Sequence, residues 1–153
     1  MITADRYHDI SCGHRVVGHE GKCRHLHGHN YRIHFKVTPD YDLDKVGRVL
    51  DFGVIKSRLC MWLEDNWDHK FLAWLEDPVI NAIYYSVPGN TEFQNASEIQ
   101  ESIVWVPFNP TAENMAKYLV EVIGPQQLVD LDCTLQSVVI EETRKCSVSF
   151  SKD

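Results

Sequence analysis

The chain has 153 residues, 44% hydrophobic and 24% charged, with a formal net charge of −7; that length fits one domain with its own core, and no apolar run approaches the roughly 18–20 residues that span a bilayer. The acidic balance, with no basic block to offset it, argues against non-specific binding to nucleic acid or anionic membranes. The cysteines, at 12, 23, 60, 133 and 146, are odd in number and contain no C-x-x-C, which argues against a disulfide framework and a four-cysteine zinc site and leaves free thiols. The opening "MITADRYHD" lacks the basic-then-apolar pattern of a secretory signal, so a cytoplasmic location is expected.

In chain order, residues 4–14 form a weak strand candidate whose even positions are Arg6, His8, Ile10, Cys12 and His14. The clearest strand covers 30–38, where Tyr31, Ile33, Phe35 and Val37 alternate with polar residues, the period of a strand with one buried face. Extending that odd register backwards places His27 and His29 on the inward face. After the turn "TPDYD", Asp51 is a candidate N-cap for a helix carrying Phe52, Ile55, Leu59 and Trp62 at helical spacing. The region 76–107 reads as an insertion, polar and turn-rich in "VPGNTEFQNASE" but apolar enough for one strand in "SIVWVPF", and a surface excursion rather than a lid. A second helix starts near "NPTAEN", capped by Asn109 or Thr111, with Met115, Leu119, Val122 and Ile123 as its apolar stripe and Gly124-Pro125 as its stop. Two closing strands contain Val138, Ile140 and Glu142 on one face and Cys146, Val148 and Phe150 on another. This order predicts a single α+β domain over 1–153, with an antiparallel four-stranded sheet and two helices packed on one face.

The chemistry concentrates in "CRHLHGHNY", residues 23–31. Two histidines at i and i+2 on a strand point the same way, and Gly28 between them lets a ligand or backbone approach, so His27 and His29 suit one metal ion. His14 is the expected third ligand, because it ends a strand that would lie beside theirs. Three neutral imidazoles leave a zinc ion with uncancelled charge and an open position, the pattern of a catalytic site. Cys23 is either a fourth ligand, giving a Cys-His₃ structural site, or a base or nucleophile set between Lys22 and Arg24 in a polar stretch unsuited to a core. His8, His19, His25 and His34 look dispensable, and His34 falls on the outward face of its strand. The adjacent Asp68-His69 resembles an oriented general acid or base. Glu142 sits at an inward position, where a carboxylate is costly unless it is paired or holds a ligand's N–H groups.

These residues together, "KCRHLHGHNY" with His14 upstream, "DF" at 51–52, "DHKFL" at 68–72, "PTAEN" at 110–114 and "EET" at 141–143, resemble the 6-pyruvoyl-tetrahydropterin and 6-carboxytetrahydropterin synthases. The C-x-x-x-H-G-H spacing resembles the bacterial 6-carboxytetrahydropterin synthase branch of queuosine biosynthesis. The resemblance implies zinc on His14, His27 and His29, Cys23 as base, Asp68 and His69 completing a proton-transfer triad, and Glu142 anchoring a pterin ring. It implies a zinc-dependent lyase that converts 7,8-dihydroneopterin triphosphate to 6-carboxytetrahydropterin, acetaldehyde and triphosphate; a 6-pyruvoyl synthase, or a noncatalytic zinc- or pterin-binding module, is the alternative. It also implies the tunnelling fold, whose sheets join into a barrel in homo-oligomers, commonly hexamers, with active sites at subunit interfaces. Arg15, Lys22 and Arg24 are candidate triphosphate contacts. The long 76–107 segment, and Trp67 where the family usually has Leu, depart from the pattern.

Overall fold

The computed structural model describes residues 1–86, 89, 92 and 95–153. Its centre is a long antiparallel ladder in which β1 (Ala4–His14) pairs with β2 (His27–Pro39), from Ala4 opposite Val37 to His14 opposite His27. The alternation read in 30–38 holds: Tyr31, Ile33, Phe35 and Val37 are fully buried, and their neighbours Arg32, His34 and Lys36 face the other way. On the far side of β2 lie β5 (Cys133–Glu141) and then β6 (Ser147–Ser151), both antiparallel to their neighbours.

The sheet is larger than the sequence predicts. Two short strands, β3 (Phe71–Trp74) and β4 (Ile103–Val106), extend it beyond β1, both in parallel register, so the sheet has six strands in the order β4-β3-β1-β2-β5-β6 and is mixed. The expectation of four antiparallel strands is therefore corrected. "FLAW" and "IVWV" are too short to show an alternating pattern, and a parallel pair needs a long crossover, which here runs through α2 (Pro78–Ser86) and α3 (Ala96–Ser102). The segment read as an insertion thus supplies one edge of the sheet, including the strand expected in "SIVWVPF". The turn-rich reading of "VPGNTEFQNASE" falls partly on residues 87, 88, 90, 91, 93 and 94, outside the described residues.

Two long helices cover the apolar face of the sheet. The first, α1, runs on through Phe52–Ile55, a π turn at Lys56–Cys60 and Met61–Asn66, started by Asp51, whose carboxylate accepts the Gly53 N–H at 2.7 Å. It buries Ile55, Leu59 and Leu63, while Phe52 points outward, contrary to the expected stripe. The second, α4, runs through Ala112–Tyr118, a π turn at Leu119–Ile123 and Gly124–Gln127, capped by Thr111 accepting from Asn114 N–H at 3.1 Å. Gly124-Pro125 does not stop it. The π turn re-pairs the backbone, with Gly124 N–H donating to Leu119 O, which accommodates the missing proline N–H. Gly124 instead serves packing: a Cβ there would sit 2.8 Å from Cβ of Leu135 on β5. Trp67 is buried against Trp62 and Tyr118, filling the joint between the two helices. Among the described residues, no helix is long and apolar enough to cross a membrane.

Candidate metal centre and active site

The register of β1 and β2 assembles the histidines. His14 lies opposite His27, and His29 is one inward-facing position further along β2, so three imidazoles meet at the end of the apolar face with ring centroids 4.5, 4.9 and 5.2 Å apart. Beneath them Gly13 faces Gly28 across the ladder. A Cβ on Gly13 would meet the Phe71 ring at 2.8 Å, so a residue without a side chain is required where β3 joins β1.

Backbone carbonyls orient two of the rings. His14 donates from Nδ1 to the Pro110 carbonyl at 2.6 Å, and His27 donates from Nδ1 to the His25 carbonyl at 2.7 Å. Each bond fixes the tautomer that leaves Nε2 with a free lone pair, the arrangement found at histidine metal ligands. The segment "NPTAEN" earns its residues here. Asn109 makes a two-way clamp on Val17 at 3.0 and 2.9 Å, Pro110 supplies the carbonyl to His14, and Thr111 caps α4. Burial pushes the His14 pKa down to about 4 against the pull of the Pro110 bond, with His27 and His29 pushing the same way. Burial lowers His29 too, against the attraction of Glu142. Burial thus favours the neutral form of both rings, the form that metal ligation requires.

The fourth group is Glu142, one residue beyond β5. Ligand atoms of His14, His27, His29 and Glu142 all lie within 4.8 Å of one another, and Glu142 Oε1 stands 2.9 Å from His29 Nε2 and 3.7 Å from His14 Nε2. Yet His27 Nε2 and His29 Nε2 are buried atoms without a hydrogen-bond partner among the described residues; the His29–Glu142 approach is close but not aligned as a hydrogen bond. Orphaned buried lone pairs are uncommon and call for an explanation. Three imidazole nitrogens and a carboxylate converging on one point fit a zinc ion in ligand type and number. The Tyr31 hydroxyl, held protonated by burial, lies 3.2 Å from His14 Nε2 and closes the inner side.

The other sequence candidates fall around this cluster. Cys23 sits half-buried in a single 3₁₀ turn, Lys22–Arg24, whose carbonyl at Cys23 accepts from Val16 N–H at 2.8 Å, and its sulfur is outside the four-donor group. Asp68 and His69 are at the edge of β1. Asp68 accepts Ser11 N–H at 2.9 Å through one oxygen and His69 Nδ1–H at 2.8 Å through the other, while His69 N–H donates to Ser11 O. Partial burial raises the Asp68 carboxyl, but these bonds outweigh it and hold the group below its usual range. The pair lines a groove of about 630 Å³ with Ser11, Asn30 and Arg32 on the open face of the sheet, a groove that none of His14, His27, His29 and Glu142 lines. A shallower hollow of about 520 Å³ over the Gly13–Gly28 pair touches both His29 and His69. Of the candidate triphosphate contacts, Arg15 is engaged by Asp77.

A family model described as 6-pyruvoyl tetrahydropterin synthase matches residues 3–153. The chain belongs to the 6-pyruvoyl tetrahydropterin synthase family. Within that family it is similar to the 6-carboxy-5,6,7,8-tetrahydropterin synthase of Rickettsia typhi, at 33% identity over 97% of this chain and 99% of the relative. A counterpart in Rickettsia felis is 31% identical over the same shares. By these relationships the chain is an enzyme, a lyase. Its fold is shared with an uncharacterised protein of Wolinella succinogenes, at TM-score 0.84 and 22% identity over 99% of this chain and 98% of that one. It is shared also with a Plasmodium vivax 6-pyruvoyltetrahydropterin synthase, at TM-score 0.69 and 16% identity over 100% of this chain and 99% of that one.

Within this family member, sequence reasoning located Glu142 but not its place beside His14, His27 and His29. Its spacing from Val138 and Ile140 marked it as inward, whereas its meeting with His29 depends on how β5 lies against β2. The Arg15–Asp77 pair left no signal at all, because 62 residues separate the partners.

Proposed function

We propose that this enzyme is a zinc-dependent lyase that converts 7,8-dihydroneopterin triphosphate and one water into 6-carboxy-5,6,7,8-tetrahydropterin, acetaldehyde and triphosphate, a step of queuosine biosynthesis. The observation that carries the reading is the convergence of His14, His27, His29 and Glu142 around two buried, partnerless imidazole nitrogens. The named relatives support the carboxy product over the pyruvoyl one.

In this reading His14, His27 and His29 hold the zinc, which when bound polarises the substrate's side-chain hydroxyls and acidifies the adjacent carbon. Cys23 takes the proton from that carbon. Asp68 orients His69 through the Nδ1–H bond and leaves Nε2 to carry protons to and from the ring and side chain. The Glu142 carboxylate accepts pterin N–H groups. Lys22 and Arg24 face the triphosphate, while Arg15, tied to Asp77, acts on the turn that bears them. Asp68 and His69 line a groove that none of His14, His27, His29 and Glu142 lines, which supports an arrangement in which the relay pair of one copy serves the metal centre of another within a homo-oligomer, a hexamer in this reading.

Product analysis tests the proposal. Zinc-loaded protein incubated with 7,8-dihydroneopterin triphosphate is expected to release acetaldehyde and triphosphate in equal amounts and to form the 6-carboxy pterin. Triphosphate without acetaldehyde assigns the 6-pyruvoyl product instead, and release of neither from protein that retains zinc removes the reading.

A further inference from the structure

We propose that Glu142 is an exchangeable fourth ligand: its carboxylate closes the coordination sphere of the ion held by His14, His27 and His29 while the site is free of substrate, and the substrate's oxygens displace it. The proposal rests on the reading of this cluster as a zinc centre.

Distance carries the first step. Four donors about 2.0–2.1 Å from a tetrahedral zinc are roughly 3.3–3.4 Å from one another. Glu142 Oε1 lies 3.7 Å from His14 Nε2 and 2.9 Å from His29 Nε2, on either side of that value. The short approach to His29 is not aligned as a hydrogen bond, and His29 Nε2 has no other partner. A cation bound by both atoms accounts for so close an approach without a hydrogen bond. Charge carries the second step. Three imidazoles cancel none of the ion's charge, and in a partly buried site a single carboxylate removes half of it.

Mobility carries the third. Glu142 is the first residue past β5, and its backbone is pinned by its N–H donating to Cys146 O at 3.1 Å. Its side chain is 25% exposed, so one edge is open to solvent. Exchange between metal and substrate therefore needs only rotation about side-chain bonds, with no movement of the sheet. The carboxylate released from the ion is the one that then accepts the pterin N–H groups, so occupancy by substrate and opening of the coordination position are one event.

Cobalt(II) is the probe, because four-coordinate cobalt absorbs far more strongly in the visible than five- or six-coordinate cobalt. The intact protein loaded with Co²⁺ is expected to show the four-coordinate spectrum, and addition of 7,8-dihydroneopterin triphosphate is expected to change it. In Glu142→Gln the metal-alone spectrum should differ, and zinc affinity measured by chelator competition should fall at least about tenfold, the scale set even by outer partners of metal sites. Equal affinity and an identical spectrum in Glu142→Gln overturn the proposal while leaving the zinc enzyme intact. A wild-type spectrum unmoved by substrate overturns it without any variant. Failure of wild-type protein to bind either metal overturns the zinc reading itself, a result distinct from both.

Discussion

Arg15 grips Asp77 at two points, Nε to Oδ2 at 2.6 Å and Nη2 to Oδ1 at 2.9 Å, and its remaining nitrogen donates to the Arg24 carbonyl at 3.2 Å. The pair thereby ties the turn that bears Cys23 to the first turn of α2, where Asp77 also accepts Val79 N–H at 2.9 Å. The two partners are unequal: Asp77 is almost wholly buried, whereas Arg15 is 17% exposed. Arg15→Ala strands a carboxylate and is expected to cost about 3 kcal/mol in urea unfolding. Asp77→Ala frees a guanidinium that can turn to water and is expected to cost about 1–2 kcal/mol, largely through the lost helix cap. Burial raises the Asp77 carboxyl, but Arg15 and the α2 N–H groups pull it below the usual range. A depressed carboxyl contributes stability above its unfolded value near 3.9, and that contribution is lost as pH falls through the lower folded value. Equal costs for the two variants would sink this account.

A second expectation concerns acid. In the metal-free protein, burial holds His14 at about 4, below its unfolded value of 6.5. Between those pH values the unfolded chain binds a proton that the folded chain does not, so stability falls as pH drops from 6.5 toward 4. The loss from this group is of the order of 3 kcal/mol, since each pK unit is about 1.4 kcal/mol. Urea midpoints of metal-free protein across this range check it, and His14→Asn should flatten the slope. An unchanged slope in that variant would mean that another group carries the acid sensitivity.

The legible parts of this molecule were those written in short-range pattern. Alternation in 30–38 identified β2 and its buried face, and it placed His27 and His29 inward before any pairing was known. Asp51 and Thr111 were readable as caps because capping is a local bond. The parallel edge was legible only in part: β4 falls in the strand expected in "SIVWVPF", whereas β3, four residues long, carries no pattern that distinguishes it from loop, and the parallel pairing of the two depends on the crossover between them. The π turns in α1 and α4 were equally silent, and the second is why the helix runs through Pro125. In the site, the residue types were legible from spacing. The Pro110 and His25 carbonyls that orient the rings were not, because any residue supplies a carbonyl and only the fold decides which one is near.

His69 offers a test of where the relay pair acts. Its side chain is 81% exposed and its backbone is left-handed at φ 60, a conformation that Asn tolerates better than most residues. His69→Asn is therefore expected to leave the melting temperature unchanged and to lower kcat by about 10²–10⁴-fold, the usual weight of a general acid-base group. Mixing that variant with Cys23→Ala, after dissociation and reassembly, should restore part of the activity, since some sites would then combine an intact Cys23 with an intact His69 from different copies. Absence of any recovery in reassembled mixtures would place both groups in the same copy's site.

Zinc itself should be visible as stability. A ligand that binds only the folded state at a hundred times its Kd stabilises by about 2.7 kcal/mol, which for a chain of this size raises Tm by roughly 5–10 °C. Chelator-treated protein is expected to recover that shift on zinc addition. His29→Ala should abolish it, because it removes one of the converging nitrogens. Cys23→Ala should keep the full shift while losing turnover, since the sulfur lies outside the donor group. The comparison separates the two roles weighed for this cysteine: a base can be deleted without loosening the ion, whereas a Cys-His₃ site without its sulfur would lose both the shift and the metal.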